Sequence, residues 1–171
     1  VPVNTVQAYL RAALAELPLP RDAGLLEAFI TPPNPNVDGA LRPAAYIWGS
    51  RGNETRLSVP RALQGSLPTG GNKQIVHQVD VWLVWFGASG DDESDTEFPA
   101  VLDAVMARLR NCPLLDGQQH EPDPVTGVLS NLLAVGETLS WEYGPVRATA
   151  DQQYLRYDAQ ITCEVVEVIQ S

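Results

Sequence analysis

At 171 residues the chain fits one domain, residues 1–171, with enough apolar content for a core, and no apolar run of about 18 residues that would span a membrane. Its 21 acidic and 11 basic residues leave a formal net charge of −10, with a single lysine, Lys73. Such a surface repels phosphate backbones, which argues against tight nucleic-acid binding while permitting passive contact with DNA.

Asn4 is placed to cap a first helix, with Gln7 three residues on as in a capping box. Val6, Leu10, Ala13, Leu14 and Leu17 recur at helical spacing, and Pro18 and Pro20 end the pattern. Arg11 and Glu16 interrupt any signal-peptide-like apolar stretch. A short second helix is expected over Leu25 to Ile30. Thr31 to Gly39 is a turn-rich connector. Pro43 to Gly49 has the pattern of a short strand, Arg51 to Asn53 that of a turn, and Glu54 to Val59 that of a returning strand. Pro60 to Asn72 is a Gly- and Pro-punctuated loop that includes Gly70 and Gly71.

A very long strand follows from Lys73. Its odd positions, Ile75, His77, Val79, Val81, Leu83 and Trp85, form a core face, whereas Val76, Gln78, Asp80, Trp82, Val84 and Phe86 form a mixed one. The mixed face ends apolar, so either a helix or another subunit is expected to cover it, which makes Trp82, Val84 and Phe86 candidate subunit-interface residues. An acidic loop with Asp91, Asp92, Glu93, Asp95 and Glu97 comes next. Phe98, Leu102, Val105, Met106 and Leu109 then make one stripe of a helix. Pro99 is tolerated in a first turn, and Cys112-Pro113 closes the element.

Leu114 to Pro124 is expected to be a loop. Val125 to Val135 and Thr138 to Tyr143 look like two shorter strands joined near Gly136. The final strand, Tyr154 to Val168, alternates between Leu155, Tyr157, Ala159, Ile161, Cys163 and Val165 on a dry face and Arg156, Asp158, Gln160, Thr162 and Glu164 on a wet one. The expected class is α+β, an antiparallel or mixed sheet with two very long strands and helices packed on one face. Strands of 14 or 15 residues at about 3.3 Å each span roughly 45–50 Å, against a body of roughly 40 Å. Overhanging strands expose edges that a neighbouring subunit can cover.

The chemistry-bearing residues form no catalytic constellation. The acidic run has no EF-hand spacing and is expected to be a solvated loop. His77 lies on an apolar strand face, where a hydrogen-bonded core role is the simplest. His120 sits in a loop near Glu121 and Asp123, and the two histidines share no metal-ligand spacing. Cys112 and Cys163 form no CxxC pair, which makes a reducing cytoplasmic setting the default. No GxSxG, P-loop or GxGxxG occurs. No enzyme activity, metal or cofactor is expected. A small hydrolase or ligand-binding domain using His77 or His120 is the alternative from another class.

The order of PAAYIWGSRGNETR, a Gly-rich loop, KQIVHQVDVWLVWFG, an acidic loop, FPAVLDAVMARLR, VTGVLSNLLAVGETLSWEYGP and LRYDAQITCEVVEVI resembles the small neck and tail proteins of long-tailed bacteriophages, most closely the tail terminators. The resemblance covers about Pro43 to Ile169 and lies in element order and hydrophobic pattern. It implies a virion protein, assembled in the host cytoplasm, that forms a hexameric ring on the tail tube. Such a ring stops tube polymerisation and meets a head connector or head-completion protein. DNA passes through its lumen without specific binding, and no membrane is involved. A head-completion or connector ring is the alternative within that class. In such a ring, Gly70, Gly71 and Asn72, or Asp91, Asp92, Glu93, Asp95 and Glu97, are candidate lumen or axial-partner loops.

Overall fold

The computed structural model describes residues 3–19, 24–32, 43–56, 73–88, 94–111, 129–149 and 152–170. Among these residues the fold is α+β, with a mixed six-stranded sheet and two helices on one of its faces. In chain order the elements are α1 (Val3–Leu14), β1 (Glu27–Phe29), β2 (Ala44–Arg56), β3 (Lys73–Ala88), α2 (Ser94–Arg110), β4 (Leu129–Tyr143), β5 (Arg147–Ala148) and β6 (Tyr154–Gln170). Across the sheet the order is β1-β2-β3-β6-β4, with β5 also paired to β6. Only the β1–β2 pairing is parallel; the others are antiparallel.

The two long strands expected from alternation are β3, with 16 residues, and β6, with 17. They pair along their whole length, from Lys73 opposite Ile169 to Ala88 opposite Tyr154. Alternation sends Val79, Val81, Leu83, Ala159, Ile161, Cys163 and Val165 to one face, where all are buried. Val6, Leu10 and Leu14 of α1 and Phe98, Val101, Leu102, Val105, Met106 and Leu109 of α2 cover them in a single cluster. Each such aliphatic or aromatic side chain contributes about 1.5–3 kcal/mol by leaving water.

Polar contacts fix the helices on the sheet. Arg108 Nε donates to the Ala13 carbonyl at 2.9 Å, which satisfies an acceptor in the last turn of α1. Arg11 Nε donates to the Ala28 carbonyl at 3.2 Å. The tyrosine hydroxyl of Tyr157 donates to Asp95 Oδ1 at 2.7 Å and pins the start of α2 to β6.

Several local expectations are corrected. α1 begins at Val3, so Asn4 lies within its first turn, and the helix stops at Leu14 before Leu17. Glu16 takes φ 60°, a left-handed conformation that ends a helix. Leu25 to Ile30 is not a helix. Gly24, at φ 89°, leads into β1, where Leu26 and Ala28 point inward while Leu25 and Phe29 stay exposed; two-residue alternation wins over a stretch too short to form a stable helix.

Arg51 to Asn53 is not a turn, and Glu54 does not begin a returning strand. β2 runs straight through them to Arg56, pairing Arg51 with Gln78 and Asn53 with Val76. The extra residue sits at a bulge between Ile47 and Ser50. Gly49 adopts φ 83° there, the left-handed conformation that makes glycine the usual occupant of such a bulge. A β-carbon on Gly49 would also stand 3.3 Å from Asp80 Oδ2. Likewise β4 is one strand, and the break expected near Gly136 is a register irregularity between Val135 and Leu139. α2 begins at Ser94 and carries Asp95 and Glu97 in its first turn and Arg108 and Arg110 in its last, the placement expected to suit the helix dipole; Pro99 lies beyond the first turn.

Candidate assembly surface

The face of the sheet away from the helices carries the candidate interface. Trp82 stands on β3 opposite Tyr46 of β2 and Gln160 of β6. Phe29 of β1 pairs with Tyr46 in turn, their rings stacked at 5.5 Å and 26°. Phe29, Tyr46 and Trp82 thus make an aromatic row across three strands. Trp82 and Phe86 are half-buried. Val84 is only 5% exposed, so of the three candidate residues it offers a partner the least surface. Aromatic side chains that keep part of their area in water are the type enriched where proteins meet.

Polar groups frame this row. Thr162 Oγ1 donates to Asp80 Oδ1 at 2.7 Å, and Arg156 Nε donates to Asp158 Oδ1 at 2.9 Å. Gln78 donates to Glu164 Oε1 at 3.2 Å. Lys73 Nζ and Glu54 Oε1 approach to 2.7 Å at the far end of β2 and β3, on the face that carries His77.

His77 belongs to the helix side of the sheet. Its Nε2 lies 3.3 Å from Glu167 Oε2, with the glutamate 0% exposed. His77 pairs with Val165 and Ile75 with Glu167, so the two side chains are diagonal neighbours on β3 and β6. Among the described residues His77 Nδ1 has no hydrogen-bond partner. An acid–base pair needs a substrate within hydrogen-bond reach; both of these side chains are closed off from solvent, and the arrangement serves to hold two strands together. Glu167 was not foreseen, although the odd-numbered alternation of β6 carries on past Val165 to reach it.

Cys163 is buried and its Sγ approaches the Val79 carbonyl at 3.6 Å. Burial, reinforced by the charge of Asp80, pushes its thiol up to about 12, which leaves it without nucleophilic character near neutral pH. Asp95 is engaged by Tyr157, and Glu97 is half-buried. Gly70, Gly71, Asn72, Asp91, Asp92, Glu93, Cys112 and His120 lie outside the described residues. Among the described residues no group of three or more His, Cys, Asp or Glu comes together as metal ligands, and no helix is long and apolar enough to cross a membrane.

Among the described residues the large apolar side chains left exposed are Leu25, Phe29, Trp48, Trp141, Tyr143 and Val146. The first three are on or beside β1 and β2, the last three on or just after β4, and these strands are at opposite sides of the sheet. Compared with known proteins, the chain matches no family model and no curated sequence.

Proposed function

We propose that this chain is a structural virion subunit of the tail-terminator kind, forming a ring at the end of a phage tail tube that stops tube growth and joins tail to head. The observation that carries the reading is strand length in excess of what the core uses. β6 has 17 residues, which at about 3.3 Å each span roughly 56 Å, beyond the roughly 40 Å of a compact body of this chain length. The buried helix-facing positions of β3 run from His77 to Gly87, whereas the strand starts four residues earlier, at Lys73. A sheet that outgrows its own core is suited to contact with other subunits. The net charge of −10 suits a lumen through which DNA slides without sticking.

Purified tail tubes and tailless capsids distinguish the two ring positions. The terminator reading expects the protein to sediment with tubes and to block further elongation by tube subunits. Binding to capsids alone would move it to the head-completion ring. Binding to neither would overturn the virion reading.

A further inference from the structure

The sheet has two long edges that no described strand covers. β1 pairs with β2 only at Ala44, Ala45 and Tyr46, leaving the outer side of residues 47–56 open among the described residues. Among the described residues β4 pairs with β6 alone. Residues 51–55 of β2 are exposed on both faces, as are residues 140–143 of β4. An unpaired strand edge is a row of N–H and C=O groups ready to accept another strand.

The two edges fit one another in direction. β2, β3, β6 and β4 are successively antiparallel, so β2 and β4 of one copy run in opposite senses. Rotation about an axis along the strands preserves each strand's sense. β4 of one copy therefore meets β2 of the next as an antiparallel pair, the pairing already used throughout the body of the sheet.

They also fit in height. Gly52 is level with His77, Val165 and Ala134, and Asn53 with Val76, Val166 and Leu133. The open part of β2 thus stands level with the first half of β4, as a closed ring without axial rise requires. At the other end, Phe29 is level with Tyr46, Trp82, Gln160 and Glu142, so on the helix-free face it would stand beside Glu142 of a neighbour. Charge follows the same scheme. Glu27 is level with Asp158, and exposed Arg147 pairs with Arg156 two residues further along β6. These opposite charges occupy the same face on opposite edges, about 7 Å apart in height.

We propose that copies of this chain join head to tail through these edges, with residues 50–56 of β2 adding as an antiparallel strand to residues 129–139 of β4 in the next copy. This rests on the ring reading and specifies its interface. A two-fold dimer would use one edge twice; a head-to-tail contact uses both edges of every copy and closes into a ring. The result is one continuous sheet around the assembly.

Disulfide trapping tests it. In a Cys112→Ser background, Asn53→Cys and Leu133→Cys are introduced together and separately, and the protein is oxidised mildly with and without purified tail tubes. Facing positions in an antiparallel pair bring β-carbons within disulfide range. The expected result is a ladder of covalent oligomers from the double variant, ending in a closed species, and no ladder from either single variant. A dimer from Asn53→Cys alone would mean two-fold β2–β2 pairing and overturn the proposal. So would the lack of a ladder from Asn53→Cys combined with Leu133→Cys, Asn131→Cys or Val135→Cys in protein that still binds tubes, an outcome that spares the ring reading. A ladder in protein that ignores tubes and capsids would keep the interface and remove the tail function. As an independent check, Glu27→Arg and Arg147→Glu should each weaken assembly several-fold and together restore it. Loss that is additive rather than restored would count against the contact.

Discussion

β3 and β4 are nearly equal in length, 16 and 15 residues, yet they live in different surroundings. β3 has a strand on each side and a helix-covered face on which Val79, Val81 and Leu83 are 0% exposed. Among the described residues β4 has one partner strand, and its residues 140–143 are exposed on both faces. Burial of apolar surface explains the length of β3 over its central residues. In β4, Leu139 packs against the same core, while the stretch from Ser140 to Tyr143 stays exposed. The contrast teaches that one sheet holds two kinds of strand, one flanked on both sides and covered by helices, and one at the edge of the described sheet to which the proposed ring would add a neighbour.

Substitutions separate the two kinds. The largest effect on folding is expected from the covered centre: Leu83→Ala should lower unfolding stability by about 3–4 kcal/mol, because a cavity remains beneath two helices. Urea denaturation measures this, and a loss under 1 kcal/mol would mean that the centre is loosely packed. Next comes the buried pair. His77→Leu should cost about 3 kcal/mol by leaving Glu167 buried without that partner, while the double change His77→Leu, Glu167→Leu should cost less. An equal or greater cost for the double variant would show that the pair is not the unit that matters.

Tyr157→Phe removes the hydrogen bond to Asp95 and should cost about 1.5 kcal/mol, as expected for a bond to a charged acceptor. Trp82→Ser stands on the open face and should shift the thermal midpoint less than any of these, yet impair assembly on tail tubes. Equal damage to folding and assembly would assign Trp82 to the core. The smallest effect is expected from Asp91→Asn, Asp92→Asn and Glu93→Gln together, which should leave the melting temperature unchanged. Asp95 no longer belongs with them, since Tyr157 ties it to the sheet.

Much of the centre was legible in the sequence because it is written in a local code. Residues 75 to 85 and 155 to 165 alternate every second position, and that alternation sets both the strands and the buried face. The stripe from Phe98 to Leu109 is legible for the same reason. What escaped depends on distant partners or on single backbone torsions. Ser50, Arg51, Gly52 and Asn53 have the composition of a turn, but β3 supplies a full ladder for them, and Gly49 absorbs the extra residue next to Asp80. Gly136 misled in the same way in β4. Leu25 to Ile30 offers six residues, too few to tell one periodicity from another without β2 beside them. Trp82 and Phe86 were legible as a mixed face; the aromatic partners Phe29 and Tyr46 were not, because sheet order is not a local property.

The position of β6 has a consequence in time. Residues 154–170 form the strand between β3 and β4, joining segments as far apart in the chain as Lys73 and Ile169. During synthesis, β2 and β3 can form a hairpin early, but β4 has no described partner until β6 emerges from the ribosome. Contacts this remote are slow to form, and partly built sheets with free edges are prone to stick to one another. Placing the late strand in the middle delays the β4 edge until the chain's own centre is closed.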